Sequence, residues 1–207
     1  MYYLKIFVVG LSLLSFAGQQ KTGSAAGVSA GVVDEPSAGL SAGIYLSPGD
    51  FMQHKLSYAG DCANGDCTIR LHALFGSSTV DMVCNGKKQV FSKDKVYGYR
   101  DCKQADYRFF GQSAYQVIDT AGFYLYSVNK LVQGEKIARP QTLYYYSMRS
   151  DDAIQELTMA NLEKSFAGNT RFRYQLEAQF RSDNDLIAYD GSIKEYKIKY
   201  VYSQSSK

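Results

Sequence analysis

Residues 80–91 read VDMVCNGKKQVF, two apolar-rich runs separated by Asn85-Gly86. Asn and Gly both tolerate positive φ, so this dipeptide is a strong signal for a two-residue hairpin turn. Working outward, the same character recurs as short runs rich in Val, Ile, Tyr and Phe, broken by Gly, Asn and Asp. The predicted strands are Thr68–Leu74, Val80–Cys84, Lys88–Phe91, Val96–Tyr99, Tyr107–Phe110, Gln116–Ile118, Phe123–Val128 and Thr142–Ser147. Such closely spaced strands predict a mostly antiparallel meander of about seven or eight strands.

Beyond Ser147 the period changes. Met159, Leu162 and Phe166 recur at i, i+3, i+7, and Phe172, Leu176 and Phe180 at i, i+4, i+8, each set forming one apolar helical face. Ser150 and Asp151 are candidate N-caps, Gly168 a candidate C-terminal cap, and Asn169 the start of the next helix. Ile193–Tyr202 reads equally as a last helix or as a strand. The predicted class is α+β, a strand meander followed by two or three C-terminal helices.

Four cysteines, Cys62, Cys67, Cys84 and Cys102, fall in the first half of this region. If the chain between Leu71 and Thr79 turns about Phe75 and Gly76, Cys67 and Cys84 stand opposite each other, within disulfide reach. That favours Cys67 with Cys84 and Cys62 with Cys102. A local Cys62–Cys67 ring remains the alternative.

The N-terminus has one charge at Lys5, an apolar run from Ile6 to Phe16 and a small-residue exit at Ala17, the layout of a cleavable signal. The run is shorter than the ~20 residues that span a bilayer, so the mature protein is expected not to span a membrane. Residues 18–43 repeat Ser-Ala-Gly three times and read as a flexible tether, because small residues gain little burial to offset their ordering. The expected organisation is a signal over 1–17, a tether over 18–43 and one disulfide-stabilised domain over 44–207. Removing residues 1–17 takes away one Lys, leaving 22 basic against 20 acidic residues, which gives no reason to expect nucleic acid as a partner. The even cysteine count behind a signal predicts a periplasmic or extracellular protein.

Tyrosine is the compositional outlier, with 18 residues and no Trp. Alternation puts Tyr97 and Tyr99 on one strand face, Tyr124 and Tyr126 on another, and Tyr145 within a third aromatic run, so an exposed platform for a glycan or peptide is the candidate ligand site. Tyrosine rings also pack at core margins with the hydroxyl reaching water, the structural alternative. His72 reads as a polar residue on the solvated face of a strand. No cysteine and histidine spacing suits zinc, and Asp183-Asn184-Asp185 lacks the rest of a calcium loop, so no metal or other cofactor is expected. Two G-x-S-x-G matches, at 27–31 and 39–43, lie in the Ser-Ala-Gly tract without the strand and helix that would strain the serine, and are taken as accidental.

The segments Gly43-Ile44-Tyr45-Leu46, Asp61-Cys62, Asn85-Gly86-Lys87, Tyr97-Gly98-Tyr99-Arg100-Asp101-Cys102, Asp106-Tyr107-Arg108-Phe109 and Ile154-Gln155-Glu156-Leu157 resemble small uncharacterised exported proteins of Gram-negative bacteria, over roughly residues 43–200. That group has no established activity, so the resemblance implies export, a shared fold and added support for the Cys62–Cys102 bridge, and it carries no catalytic residue over. The expected function is a non-enzymatic binding or envelope-associated domain, with a glycan, a peptide or an envelope protein as partner. The alternative is a small extracytoplasmic hydrolase whose acid and base come from Asp61, Asp66, Asp101, Asp106 and His72.

Overall fold

The structure, a computed structural model, describes residues 40–63, 66–72, 77–133 and 138–205. Eight strands form one antiparallel sheet: β1 (Ser41–Tyr45), β2 (Tyr58–Asp61), β6 (Gly98–Arg100), β7 (Asp106–Phe110), β8 (Ser113–Asp119), β9 (Tyr124–Gln133), β10 (Ala138–Ser147) and β11 (Gln155–Glu156). Their order is β11-β10-β9-β8-β7-β6-β1-β2. A second antiparallel sheet contains β3 (Cys67–Arg70), β4 (Thr79–Cys84) and β5 (Lys87–Ser92). The helices are α1 (Pro48–Met52), α2 (Met159–Ser165), α3 (Thr170–Gln179) and α4 (Lys197–Ser205), with a 3-10 turn over Asp183–Ile187 and a small ladder of β12 (Tyr189–Asp190) with β13 (Glu195–Tyr196). The class is α+β, with the meander first and the longer helices last.

Both faces of the large sheet are covered. On one face, Ile44, Tyr99 and Phe109 pack with Cys67, Val80 and Met82 of the smaller sheet. Farther along the same face, Leu125 and Tyr146 pack with Leu162, Phe166, Phe172, Leu176, Ile198 and Val201 of the helices. Ala114 belongs to the first cluster and Ile118 to the second, so alternation along β8 leaves Gln116 between the two caps. The opposite face carries Tyr45, Tyr97, Tyr115, Tyr126 and Tyr145, closed over by Phe51 of α1 and Ile154 of the 148–154 connection.

Asn85 and Gly86 both have positive φ, 51° and 72°, in the turn between β4 and β5. Cys67 pairs with Cys84 and Arg70 with Asp81, the register expected for a turn about residues 75 and 76, which lie outside the described residues. The disulfides are Cys67–Cys84, with Cα atoms 4.0 Å apart, and Cys62–Cys102, at 5.6 Å. The expected pairing is therefore the one formed, and the local Cys62–Cys67 ring is not.

Some boundaries differ from the sequence reading. The tether was expected to reach Gly43, but β1 begins at Ser41 and Ala42 is buried. The rest of the expected tether and the expected signal lie outside the described residues. Helix α2 is capped by Thr158, whose side chain accepts from Asn161 N, and not by Ser150 or Asp151. The chain between is held extended by the β10–β11 pairing and by burial of Ile154 and Leu157. Asn169 does cap α3, its Oδ1 accepting from Phe172 N at 3.0 Å. The last segment is strand and then helix, Glu195–Tyr196 followed by Lys197–Ser205.

Gly98 shows why one residue of the meander must be small. A Cβ there would lie 2.0 Å from the Tyr107 carbonyl oxygen, and backbone offers no side-chain rotation as relief. Gly98→Ala is expected to cost about 2 kcal/mol in urea unfolding, the middle of the overpacking range. An effect within error of zero would mean that β6 and β7 separate without penalty.

Candidate ligand-binding cleft

The five candidate tyrosines do not form an exposed platform. Tyr97, Tyr99, Tyr126 and Tyr145 are all buried and Tyr124 is half-buried, because α1 and the 148–154 connection close over one sheet face and the smaller sheet closes over the other. Tyr97 and Tyr99 belong to different clusters, Tyr99 stacking on Tyr107 at 4.5 Å while Tyr97 packs with Tyr45 and Phe51. Tyr97, Tyr124, Tyr126 and Tyr145 do gather on one face, and at its centre lies a residue that the sequence reading did not single out, Arg108.

Arg108 follows Tyr107 on β7 and so points to the opposite face, where cross-strand pairing sets it beside Tyr115. It is only 4% exposed. Its Nη1 donates to the Tyr126 hydroxyl at 3.1 Å and to Ser147 Oγ at 3.3 Å, and its Nη2 donates to the Asp152 carbonyl at 2.6 Å. The guanidinium carbon lies 5.5 Å from the Tyr97 ring centre and 5.9 Å from those of Phe110 and Tyr126, within cation–π range. These acceptors are neutral. Among the described residues no carboxylate pairs with Arg108. Burial raises the pKa of the Tyr97 and Tyr126 phenols, so both rings stay uncharged over the physiological range and leave the guanidinium uncompensated.

A cleft of about 320 Å³ is lined by Arg108 together with Pro48, Val96, Tyr97, Phe110 and Asp151. A second concavity, of about 500 Å³, shares Pro48 and Asp151 with it and continues over Met52 and Tyr124. Lys93 also lines the first cleft. It is buried, and its ammonium donates to the carbonyls of Ser77 at 2.7 Å and Gln112 at 3.1 Å. Burial lowers its pKa. The two acids at the rim are already engaged, Asp151 with Arg149 at 3.3 Å and Asp94 with Ser92 Oγ and with Lys95 at 3.9 Å.

The residues of the hydrolase alternative are held separately. Asp106 takes a bidentate grip from Arg100, 2.8 and 2.7 Å, plus the Tyr45 hydroxyl at 2.9 Å. Asp101 closes a turn through the amides of Lys103 and Ala105, and Asp61 does the same with Ala63. Asp66 contributes its carbonyl to Asn85 N. His72 lies just past the end of β3 with φ 49°, and its Nε2 meets the buried Asp81 carboxylate at 2.6 Å, where Lys88 also binds at 2.7 Å. Sequence alternation alone did not reveal that ion cluster. Among the described residues, no group of three His, Cys, Asp or Glu side chains is placed to hold a metal ion, and no helix is long and apolar enough to cross a membrane.

Between the two caps of the other sheet face runs a polar groove of about 470 Å³, lined by Tyr107, Gln116, Ser127 and Asn129. Asn129 Oδ1 accepts from Thr142 at 2.8 Å, whereas the Gln116 and Ser127 side chains make no hydrogen bond to a described residue. The buried Lys93 ammonium borders this groove as well as the Arg108 cleft, so what sets the cleft apart is the Arg108 guanidinium itself. Searches against family models, curated proteins and solved structures returned no match to this chain.

Proposed function

We propose that the protein is an exported, non-enzymatic binding domain whose ligand enters the cleft over Arg108. The single observation that carries this is a guanidinium buried to 4% exposure with neutral acceptors and, among the described residues, no carboxylate partner. A buried charge without a counter-charge costs several kcal/mol, so such groups are concentrated where a ligand completes them. Export is supported by the signal-like N-terminus and by two disulfides, which persist in oxidising compartments. The aromatic walls suit a ligand with an apolar face beside its polar group.

The test is a thermal-shift screen of glycans, short peptides and organic acids on the oxidised protein recovered from the periplasm, run beside Arg108→Met. At least one class is expected to raise the wild-type melting temperature and to leave the variant unmoved. A wild-type protein that responds to nothing, or responds as the variant does, overturns the reading.

A further inference from the structure

We infer that the group recognised in the Arg108 cleft is a carboxylate carried by a small ligand, an inference that rests on the binding reading above. The hydrogen-bond count points to it. Of the five N–H groups of a guanidinium, three are used, two on Nη1 and one on Nη2. Nε–H and the second Nη2–H have no partner among the described residues. Arginine meets carboxylates through two such donors at once, and the pairing supplies the missing negative charge as well as the missing acceptors.

The surroundings narrow the class further. The three neutral acceptors and the rings of Tyr97, Phe110 and Tyr126 fix the guanidinium plane before any ligand arrives, so little ordering is needed on binding. Asp94 and Asp151 at the rim are exposed carboxylates with their own partners. Against the cations Arg108 and Lys93 the cleft thus sets two acids, a balance that suits a singly charged anion better than a multiply charged one and favours carboxylate over phosphate. At about 320 Å³, the cleft admits a group the size of one sugar acid or amino acid.

The experiment is a titration followed by ¹H–¹⁵N spectra of the full oxidised protein, with the Arg108 Nε–H and the Gln116 side-chain amide as reporters. Probes are acetate, glucuronate and N-acetylglycine, against glucose, phosphate and chloride at matched ionic strength. The Arg108 signal is expected to shift saturably with the carboxylates, about tenfold more tightly than with phosphate or chloride, and the Gln116 signal to stay still. Glucuronate and N-acetylglycine distinguish a sugar-acid source from a peptide-like one. Arg108→Lys, checked for folding by near-ultraviolet circular dichroism, is expected to weaken the binding about tenfold, because a point charge replaces the fork. If that variant does not fold, the wild-type titration decides alone. An Arg108 signal that chloride moves as much as acetate does, or that nothing moves, overturns the carboxylate. If glucose moves it as well as glucuronate, the carboxylate fails while the cleft stands. If only Gln116 moves, the cleft fails too.

Discussion

Replacing Cys62 and Cys102 together by alanine is expected to lower the unfolding free energy by about 4 kcal/mol, measured by urea denaturation at neutral pH. The bridge spans 40 residues of chain, and the loop entropy it removes from the unfolded state has that size. Its position adds to the reason. Cys62 follows the end of β2 and Cys102 follows the end of β6, the two neighbours of β1, so the bond ties together the strands that flank it. Breaking Cys67–Cys84, which closes 17 residues, is expected to cost about 3 kcal/mol by the same argument. Because domains are held by about 5–15 kcal/mol in total, reduction of both bonds should unfold the protein or leave it barely folded. A double-alanine effect below about 1 kcal/mol would show that the reduced, unfolded chain is already compact.

Raising the pH from 8 to about 10 is expected to stabilise the protein, against the usual trend for alkaline solution. Lys199 of α4 is buried, and its ammonium donates to the carbonyls of Ala121 and Phe123 and pairs with Asp119 at 3.2 Å. Burial pushes its pKa down to about 8 from an ordinary 10.5, and Asp119 opposes part of that shift. Below pH 8 both folded and unfolded states hold the proton, and the native state bears the full cost of the buried charge. Between 8 and 10.5 the native lysine is neutral while the unfolded one is still charged, so the unfolded state binds more protons and stability rises with pH, by about 3 kcal/mol if the whole interval is traversed.

Tyr45, Tyr97 and Tyr99 oppose this at the upper end. Burial raises their pKa values above the ordinary 10.0, with Asp106 adding to the shift at Tyr45. Their contribution is intact below pH 10 and is lost as the pH climbs past it, because the unfolded phenols ionise first. Stability should therefore peak near about pH 10. Lys199→Met should remove the rise between 8 and 10 while keeping the fall above. A variant that still shows the rise would move the effect away from Lys199.

The hairpin around Asn85-Gly86 and the apolar stripe of α3 were legible because each depends on residues close in sequence. The Cys67–Cys84 bond was legible because strand register converts a turn position into opposed pairs. β1 was not, because Ser41-Ala42-Gly43 continues a Ser-Ala-Gly tract, and only in the folded chain is a Cβ at Gly43 seen to fall 2.0 Å from the Tyr58 carbonyl oxygen. The tyrosine platform failed for a related reason. Alternation shows which tyrosines share a strand face, but whether that face meets solvent depends on α1 and the 148–154 connection, distant in sequence from most of them. Arg108 was legible only in part: a lone arginine at an alternate position of the strand Asp106–Phe110 was a signal, but nothing nearby showed that its partners would be Ser147 and Asp152.

The place of β1 between β2 and β6 bears on the order in which the chain can be completed. As the chain lengthens from its N-terminus, β1 can pair with β2 soon after it appears, but its other edge has no mate until residues 98–100 follow. Until then that edge is an open row of amides and carbonyls, the kind of surface on which neighbouring chains add strands. The residues that wait for β6 are Gly43, Ile44 and Tyr45, and of these only Gly43 has little strand propensity, whereas Ile44 and Tyr45 favour strands and carry apolar side chains. The growing chain thus carries an open strand edge with two apolar side chains, Ile44 and Tyr45, for the whole stretch of synthesis between β1 and β6.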